Sequence, residues 1–381
     1  MKAEIKSPKK FLPYLALILS LLLIFPPVRI WHFASGNRWL YILLFSFLLS
    51  YGFTHVVRMK ALRRGVLDYP NERKIHQTPT PLWGGIAIYL AFLCAVAANF
   101  IVSKEVAGIL IGASILVVVG IIDDRNGLPA SLRLLAQVVA TSIVIISGVS
   151  LNIFPPSTLG NIGNILLTLL WIIGITDAFN FFDGMDGLAP GLGIITAFFL
   201  GVLSFQTFQP FLGWLCVAII GGCSGFLPYN FRLRKPASIF LGDSGGAFLG
   251  FTLSSLAIMG EWADNNPIVS LSAPLLIFWI FIFDMVYITI SRVANGKVGN
   301  LREWVEYTGK DHLHHRLALF LNSEKLTVCV IFLITMCLGL SATALRYART
   351  IDALLLILQA AVIVLLVSIL QKRGAQNNLT H

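Results

Sequence analysis

Two adjacent acidic residues are the first candidates for chemistry in this sequence. Asp123 and Asp124 close an apolar run in the string Gly-Ile-Ile-Asp-Asp-Arg. At a separation of about 4 Å, two carboxylates repel each other by about 4 kcal/mol when the effective dielectric constant is about 20. A divalent cation or a shared proton relieves this repulsion and would mark an active site. The alternative interpretation is a solvated helix end.

A second acidic cluster lies in the string Asn-Phe-Phe-Asp-Gly-Met-Asp-Gly-Leu-Ala. Asn180, Asp183 and Asp186 follow one another at intervals of three residues, so they can share one side of a turn that opens from a helix end. The glycines let the backbone approach a ligand closely. Oxygen ligands in an open geometry suit Mg²⁺, which also binds substrate phosphates. The alternative is a polar turn between two helices.

A glycine-rich turn, Phe-Leu-Gly-Asp-Ser-Gly-Gly, supplies a further acidic residue, Asp243. A helix N-terminus that follows such a turn can hold a metal-bound diphosphate. Capping of that helix by Asp243 or Ser244 explains the same string equally well.

Histidines and basic residues provide groups that bind anions. Three of the seven histidines lie within four residues, in a string that contains His312, His314, His315 and Arg316. No cysteine accompanies them and their spacing differs from that of zinc fingers, so phosphate contacts are favoured over zinc, with a solvated loop as the alternative. Lys74 and His76 lie in a basic, proline-containing loop that could hold an anionic headgroup, or that only stops transfer through the membrane.

The composition predicts that a membrane protein positions these residues. Of the 381 residues, 57% are hydrophobic and 12% are charged, whereas soluble domains carry about 25% charged residues. The mean hydropathy is +0.82. Because a spanning helix needs about 20 mostly apolar residues, we predict an all-α, polytopic transmembrane helical bundle of about 11–12 spans. The predicted spans are 11–31, 38–57, 83–103, 106–122, 134–151, 162–179, 190–207, 210–227, 245–260, 268–290, 326–345 and 350–371.

A single domain over residues 1–381 is predicted, because neither a repeat nor a linker separates the apolar runs. The first run is long enough to span and lacks a signal-peptide cleavage site, so we interpret it as a retained helix. The five cysteines lie in apolar runs without CxxC spacing, which argues against disulfides and zinc.

The distribution of basic residues predicts the orientation. Twelve spans place both termini on one side together with loops 58–82, 123–133, 228–244 and 291–325, and this side carries 23 of the 28 Lys and Arg residues. The positive-inside rule makes that side cytoplasmic. The net charge of +10 then reflects orientation rather than nucleic-acid binding. Because all the candidate clusters lie on this side, we predict one active site on the cytoplasmic face.

In these strings the sequence resembles the polyprenyl-phosphate N-acetylhexosamine-1-phosphate transferases, over about residues 50–320. The strings, in the order of that family, are DYPNERKIHQTPTPLWGG, GIIDDR, FNFFDGMDGLA, GFLPYNF followed by IFLGDSGG, and DHLHHRL. The His-x-His-His string and GFLPYNF make the chain most similar to the WecA/TagO-like branch, with MraY more distant.

The resemblance implies an enzyme that transfers N-acetylhexosamine-1-phosphate, with GlcNAc-1-phosphate favoured, from a UDP-sugar to undecaprenyl phosphate. UMP is released, and a cell-envelope glycan is started at the bacterial inner membrane. The implied cofactor is Mg²⁺, with Mn²⁺ as an alternative. No nucleic-acid partner is implied, and a homo-oligomer stays open.

By motif, the resemblance also implies residue roles. Asp123 and Asp124 are the essential carboxylates near the reacting phosphates, and Asp183 is a catalytic or metal-binding carboxylate. Asn180 and Asp243 reach the Mg²⁺ on the donor diphosphate. The implied substrate-binding residues are Lys74, His76, Arg133, Asp186, His312, His314, His315 and Arg316.

Three departures from the family pattern bear on the choice of donor. Asp177 stands where the family commonly has Asn, and Gly246 where it commonly has Ser. The stretch 302–310 differs from relatives in a loop that the family uses for sugar recognition. The UDP-sugar and the glycan therefore stay open.

Two mechanisms and two other functions also stay open. Either Asp123 or Asp124 deprotonates the acceptor phosphate, or an aspartate forms a covalent phosphoryl intermediate. A transporter is an alternative function, but it would carry acids at mid-span on facing helices, whereas only Asp284 lies in the interior of a predicted span and not near its end. An inactive relative that binds lipid phosphate is the other alternative.

Overall fold

The structure, a computed structural model, describes residues 11–70, 78–232, 234–263, 267–300, 303, 307, 309 and 311–377. Its helices are α1 Leu12–Ile24, α2 Pro26–Ala34, α3 Arg38–Arg64, α4 Gly84–Ala98, α5 Lys104–Asn126, α6 Ala130–Ile146, α7 Thr158–Phe181, α8 Leu188–Gln206, α9 Pro210–Asn230, α10 Asp243–Met259, α11 Pro267–Ile277, α12 Trp279–Ala294, α13 Leu313–Leu321, α14 Glu324–Thr343 and α15 Thr350–Asn377. Two short antiparallel strands, β1 Leu67–Asp68 and β2 Thr80–Pro81, pair Leu67 with Pro81 and Asp68 with Thr80.

Local sequence signals set several of these helix ends. The hydroxyls of Ser103, Ser157 and Ser323 accept backbone N–H groups in the first turns of α5, α7 and α14, because a serine at the N-cap satisfies a donor that has no intrahelical partner. α3 ends at Gly65, whose left-handed conformation suits glycine.

The predicted polytopic helical bundle is confirmed. Within the described residues, seven helices are long and apolar enough to cross a membrane, or up to nine if each of two bent pairs counts as one span. The bends are 69° between α1 and α2 and 78° between α11 and α12. Each of the twelve predicted spans coincides with a helix or a bent pair, but the number of full-length crossings is lower than the 11–12 predicted.

Three helices account for this difference in number. α4, α6 and α10 have 15, 17 and 17 residues, which is shorter than the about 20 residues of a full crossing. α10 is buried along nearly its whole length and packs against α4, α5, α7 and α8. A helix enclosed by protein need not match the thickness of the lipid core, and hydropathy alone cannot tell it from a lipid-facing span.

Glycines bring the neighbouring helices onto the first turn of α10. A Cβ atom at Gly85 of α4 would overlap the backbone of Gly245, and one at Gly120 of α5 would overlap the backbone of Ser244. The chain entering α10 is also tied to α4, because the N–H groups of Gly84 and Gly85 donate to the carbonyls of Phe240 and Leu241 at 3.0 and 2.8 Å. These close contacts with α4 and α5 fix the position of the first turn of α10.

Candidate active site

The glycine-rich turn before α10 is the centre of the candidate site. Gly242 is the N-cap residue and has φ +77°, a left-handed value that favours glycine. The first backbone N–H groups of a helix have no intrahelical partner, and they carry the positive end of the helix dipole. The turn therefore offers hydrogen-bond donors to anionic groups.

Carboxylates from two other clusters accept hydrogen bonds from this turn. The N–H of Asp243 donates to Asp124 Oδ1 at 2.9 Å, and Ser244 Oγ donates to Asp124 Oδ2 at 3.2 Å. The N–H of Gly242 donates to Asp183 Oδ2 at 3.2 Å. Acidic clusters that lie up to 120 residues apart in the sequence thus meet at one helix end.

The side chain of Asp243 does not cap α10. The cap position belongs to Gly242, which has no side chain, and Asp124 accepts the first N–H group of the helix instead. The capping interpretation of Asp243 and Ser244 is therefore wrong. The carboxyl group of Asp243 lies beside that of Asp123 instead.

Asp123 is held by a loop and by a cation. It is 8% exposed, and its carboxylate accepts the N–H of Leu128 at 2.6 Å and a hydrogen bond from Arg133 Nη1 at 3.2 Å. The side chain of Arg133 is 44% exposed. A guanidinium has five N–H donors, so Arg133 can contact an anionic ligand while it stays paired with Asp123.

Burial and mutual repulsion favour the neutral form of the carboxyl groups of Asp183 and Asp243. Burial, followed by the charges of Asp243 and Asp124, raises the pKa of Asp183 well above its ordinary value. Burial, followed by the neighbouring Asp123, raises the pKa of Asp243 to about 6. Strongly perturbed pKa values cluster at functional sites, so these two carboxyl groups are candidates for metal binding or catalysis.

Asn180 presents an oxygen without a partner. Its side chain packs on Gly246, where a Cβ atom would overlap Asn180 Oδ1. That oxygen is buried and accepts no hydrogen bond from the described residues. Unpaired buried oxygens are costly, so a ligand at this position would stabilise the side chain. The missing side chain at Gly246, one of the departures from the family pattern, is what leaves room for Asn180.

The histidine cluster reaches the second acidic cluster through His314. The imidazole of His314 is buried against Gly184, where a Cβ atom would lie 2.7 Å from Nε2. Burial, followed by the charges of His315 and His312, holds the pKa of His314 well below its usual value, so the ring is neutral. Neither ring nitrogen of His314 has a hydrogen-bond partner within the described part of the chain.

One cavity of about 910 Å³ joins the acidic clusters to the histidine cluster, and ligand pockets generally have about 300–1,000 Å³. The predicted site residues on its wall are Asp123, Asp124, Asn180, Asp183, Asp186, Asp243 and His315. Four other predicted residues, Arg133, His312, His314 and Arg316, are not among the described residues of the wall. The predicted residues Lys74 and His76 lie outside the described residues.

The cavity wall also contains residues that the sequence did not single out. Arg234 and Lys235, in the loop before α10, and Lys325, at the start of α14, add basic groups. Asp186 accepts the N–H of Ala237 from the same loop at 2.7 Å. Their position in loops on the predicted cytoplasmic side was the only available signal, and it does not distinguish cavity residues from other loop residues.

Asp284 is a further residue that the sequence analysis did not place at the candidate site. Its carboxylate is fully buried and lies 2.8 Å from His312 Nδ1. A signal was available, since an acid inside a spanning helix costs about 2.5–3.5 kcal/mol and usually has a functional partner.

Asp177, a departure from the family pattern, accepts a hydrogen bond from Gln137 at 2.7 Å.

The polytopic helical bundle, with acidic and basic residues around a cavity at the first turn of α10, fits an integral-membrane enzyme that acts on phosphorylated substrates. The profile of Glycosyl transferase family 4 matches residues 106–261. The chain is 34% identical over 301 residues to the probable undecaprenyl-phosphate N-acetylglucosaminyl 1-phosphate transferase of Bacillus subtilis, which covers 77% of this chain and 81% of that protein. The chain therefore belongs to this family of polyprenyl-phosphate N-acetylhexosamine-1-phosphate transferases, as the ordered strings predicted.

Other relatives agree with this assignment. The decaprenyl-phosphate N-acetylglucosaminephosphotransferase of Mycobacterium tuberculosis is 32% identical over 320 residues, which cover 75% of this chain and 77% of the relative. The undecaprenyl-phosphate alpha-N-acetylglucosaminyl 1-phosphate transferase of Yersinia pestis is 31% identical over 284 residues, which cover 72% of this chain and 75% of the relative. The similarity to WecA- and TagO-type enzymes is thus confirmed.

Proposed function

We propose that this protein transfers N-acetylglucosamine-1-phosphate from UDP-GlcNAc to undecaprenyl phosphate, releases UMP and starts a cell-envelope glycan. The observation that carries the proposal is the meeting of Asp124, Asp183 and Asp243 at the first turn of α10, in one cavity. The names of the relatives support the sugar and the lipid class. A transporter is disfavoured because these acids share one helix end instead of lining a path along several helices.

Mg²⁺, or Mn²⁺ in its place, fits the oxygen groups of this cavity. Asn180 Oδ1 is buried without a partner, and the carboxyl group of Asp243 is crowded by that of Asp123. These two side chains would hold the ion, with Asp183 beside them. Of the described residues, no three His, Cys, Asp or Glu side chains are grouped so that they could hold a metal ion by themselves. Mg²⁺ usually takes only one or two carboxylates, together with waters and substrate phosphates. When bound, the ion offsets the negative charge of the diphosphate.

The reaction joins an oxygen of the lipid phosphate to the β-phosphorus of the donor. The bond from that phosphorus to the bridging oxygen breaks, and its electron pair leaves with UMP. Asp123 or Asp124 would take a proton from the acceptor phosphate, and Asp183 is the third catalytic carboxylate of the proposal. Arg133 would stabilise the charge that develops on the transferred group.

The remaining side chains bind the donor and the acceptor. Among the three histidines of the cluster, His315 is on the cavity wall, so it is the one proposed to contact the diphosphate or the sugar. His312, His314 and Arg316 would support it or contact the ligand after a small rearrangement. Asp186 and the basic loop residues would bind the nucleotide end, and Lys74 and His76 are proposed to hold an anionic group.

The test is Mg²⁺-dependent release of UMP from membranes that contain the protein, with undecaprenyl phosphate as acceptor. UDP-GlcNAc should support release, and a panel of UDP-sugars defines the donor. Reactions without the lipid, or with a chelator, are the controls. Binding of the lipid phosphate without UMP release from any UDP-sugar would show an inactive relative and overturn the proposal.

A further inference from the structure

Asp284 is a buried acid that the proposed chemistry does not use. It lies in α12, it is 0% exposed, and it is not among the described residues of the cavity wall. A carboxylate inside a spanning helix needs polar or cationic partners, and such a residue is generally functional. Among the described residues, the hydrogen-bond and ion-pair partners of Asp284 come from one segment, His312 to Arg316.

Two hydrogen bonds join Asp284 to the start of α13. The N–H of Leu313 donates to Asp284 Oδ1 at 2.7 Å, and His312 Nδ1 lies 2.8 Å from Oδ2. An ionised carboxylate only accepts hydrogen bonds, so the proton of this contact belongs to His312 Nδ1. The guanidinium of Arg316 lies 3.8 Å from Oδ1 and stacks on the ring of Tyr287 at 4.0 Å.

This carboxylate therefore fixes the beginning of α13. His312 is the N-cap residue but makes no side-chain capping bond, and Asp284 satisfies the backbone donor of Leu313 in its place. A negative charge at a helix N-terminus is also favourable. The same first turn carries His314, which packs on Gly184, and His315, which lies on the cavity wall.

We propose that Asp284 is a positioning residue, which holds His312 and the first turn of α13 so that His315 faces the substrate cavity. Asp284 acts through these residues and touches no substrate. The kinetic part of its test rests on the proposed transferase activity. Misplacement of a binding group by about 1 Å can cost about 100-fold in rate, so a loss of this order is expected when the carboxylate is removed.

The kinetic experiment compares Asp284→Asn, His312→Gln and the double variant in the full-length membrane protein. Each single variant should lower kcat/KM for UDP-GlcNAc by about 10- to 100-fold, and the double variant should fall no further than the worse single one, because the two residues act as a unit. Asp284→Glu, which keeps the charge, should recover part of the loss. Wild-type kinetics in Asp284→Asn, or losses that multiply in the double variant, would overturn the proposal.

Asp352→Asn is the matched control. Asp352 also accepts a backbone N–H and contacts an arginine, Arg349. It lies in the exposed first turn of α15, not in α12 or α13. This variant should keep wild-type kinetics. If Asp352→Asn loses as much activity as Asp284→Asn, then removing any such acid disturbs the protein. The loss in Asp284→Asn would then not be caused by misplacement of α13.

Hydrogen exchange separates this proposal from the transferase assignment. In Asp284→Asn the amides of residues 313–316 should exchange faster than in the wild type and in Asp352→Asn, whether or not the protein releases UMP. Wild-type protein that releases no UMP overturns the proposed function alone. Unchanged exchange in this segment overturns the positioning role of Asp284, even in an active enzyme. If Asp284→Asn does not reach the membrane, the same exchange measurement on His312→Gln decides.

Discussion

Asp124, near the end of α5, accepts the backbone N–H of Asp243, the first residue of α10, at 2.9 Å. The two residues are 119 positions apart, and each belongs to a separate acidic string. The hydrogen bond uses the backbone of Asp243 and leaves its carboxyl group directed towards Asp123. One carboxylate therefore organises the helix end while a second stays available for a ligand.

The catalytic carboxylates can be tested by isosteric substitution. We predict that Asp123→Asn, Asp124→Asn and Asp183→Asn each lower UMP release by at least about 100-fold, because a general base or a charge-stabilising group is lost. The amide oxygen of Asn can still accept the backbone hydrogen bonds that Asp124 and Asp183 make, so the amount of membrane-inserted protein should not change. Asp352→Asn is the control. An active Asp183→Asn variant would remove Asp183 from the catalytic set.

The metal prediction concerns Asn180 and Asp243. Both residues line the cavity, and we predict that their side-chain oxygens lie within about 4–6 Å of each other, close enough for one ion with Mg–O distances of about 2.1 Å. Asp243→Ala should weaken UDP-sugar binding in the presence of Mg²⁺ and leave lipid-phosphate binding largely intact. An experimental structure with donor and Mg²⁺ checks the distance. A separation above about 10 Å would contradict the shared ion.

The strings of the sequence were sufficient to predict the class of fold, and seven of the predicted site residues line one cavity. Apolar runs longer than about 20 residues predict spans, and acids at their ends are costly unless they are used. What could not be predicted depends on contacts between distant segments. Asp124 capping α10 in place of Asp243, and Asp284 holding His312, both require knowledge of which helix ends meet. The short helix α10 was predicted to be a span for the same reason, because its enclosure by other helices depends on contacts between distant segments.

The packing of Asn180 on Gly246 gives a second test of the metal. A Cβ atom at position 246 would overlap Asn180 Oδ1, so Gly246→Ala should turn this side chain away. We predict a Mg²⁺ requirement about 10-fold higher, the cost typical of changing a residue that orients a metal ligand. Gly174→Ala is the control, because a Cβ atom there has no neighbour within 4 Å. Equal Mg²⁺ requirements in the two variants would exclude Asn180 as a ligand.

The positive-inside rule predicts the orientation from the basic residues, and cysteine labelling tests it. We predict that both termini and the segment around His312–His315 are cytoplasmic. In a background without the exposed Cys329 and Cys337, an impermeant reagent should label Lys310→Cys and Lys297→Cys only after permeabilisation. Lys310 lies outside the described residues, whereas Lys297 is exposed.

Arg349→Cys, at an exposed position predicted on the opposite side, is the control and should be labelled in intact cells. Labelling of Lys297→Cys in intact cells would reverse the orientation and remove the active site from the cytoplasmic face.

The raised pKa values predict how Mg²⁺ stabilises the protein at different pH. Without the ion, burial and neighbouring acids raise the pKa of Asp243 to about 6 and that of Asp183 well above its ordinary value, whereas in the unfolded chain both are about 3.9. The folded state then binds more protons, so the free energy of unfolding falls as pH rises from about 4 through these folded values.

Bound Mg²⁺ requires the deprotonated carboxylates and removes this penalty. The rise in Tm on adding Mg²⁺ to the detergent-solubilised protein should therefore be larger at about pH 7.5 than at about pH 5.5. Asp243→Asn should lose most of this difference, because it removes one of the titrating groups, while Asp352→Asn should keep it. A Mg²⁺ effect on Tm that is equal at both pH values in the wild type would mean that the ion does not bind to these carboxylates.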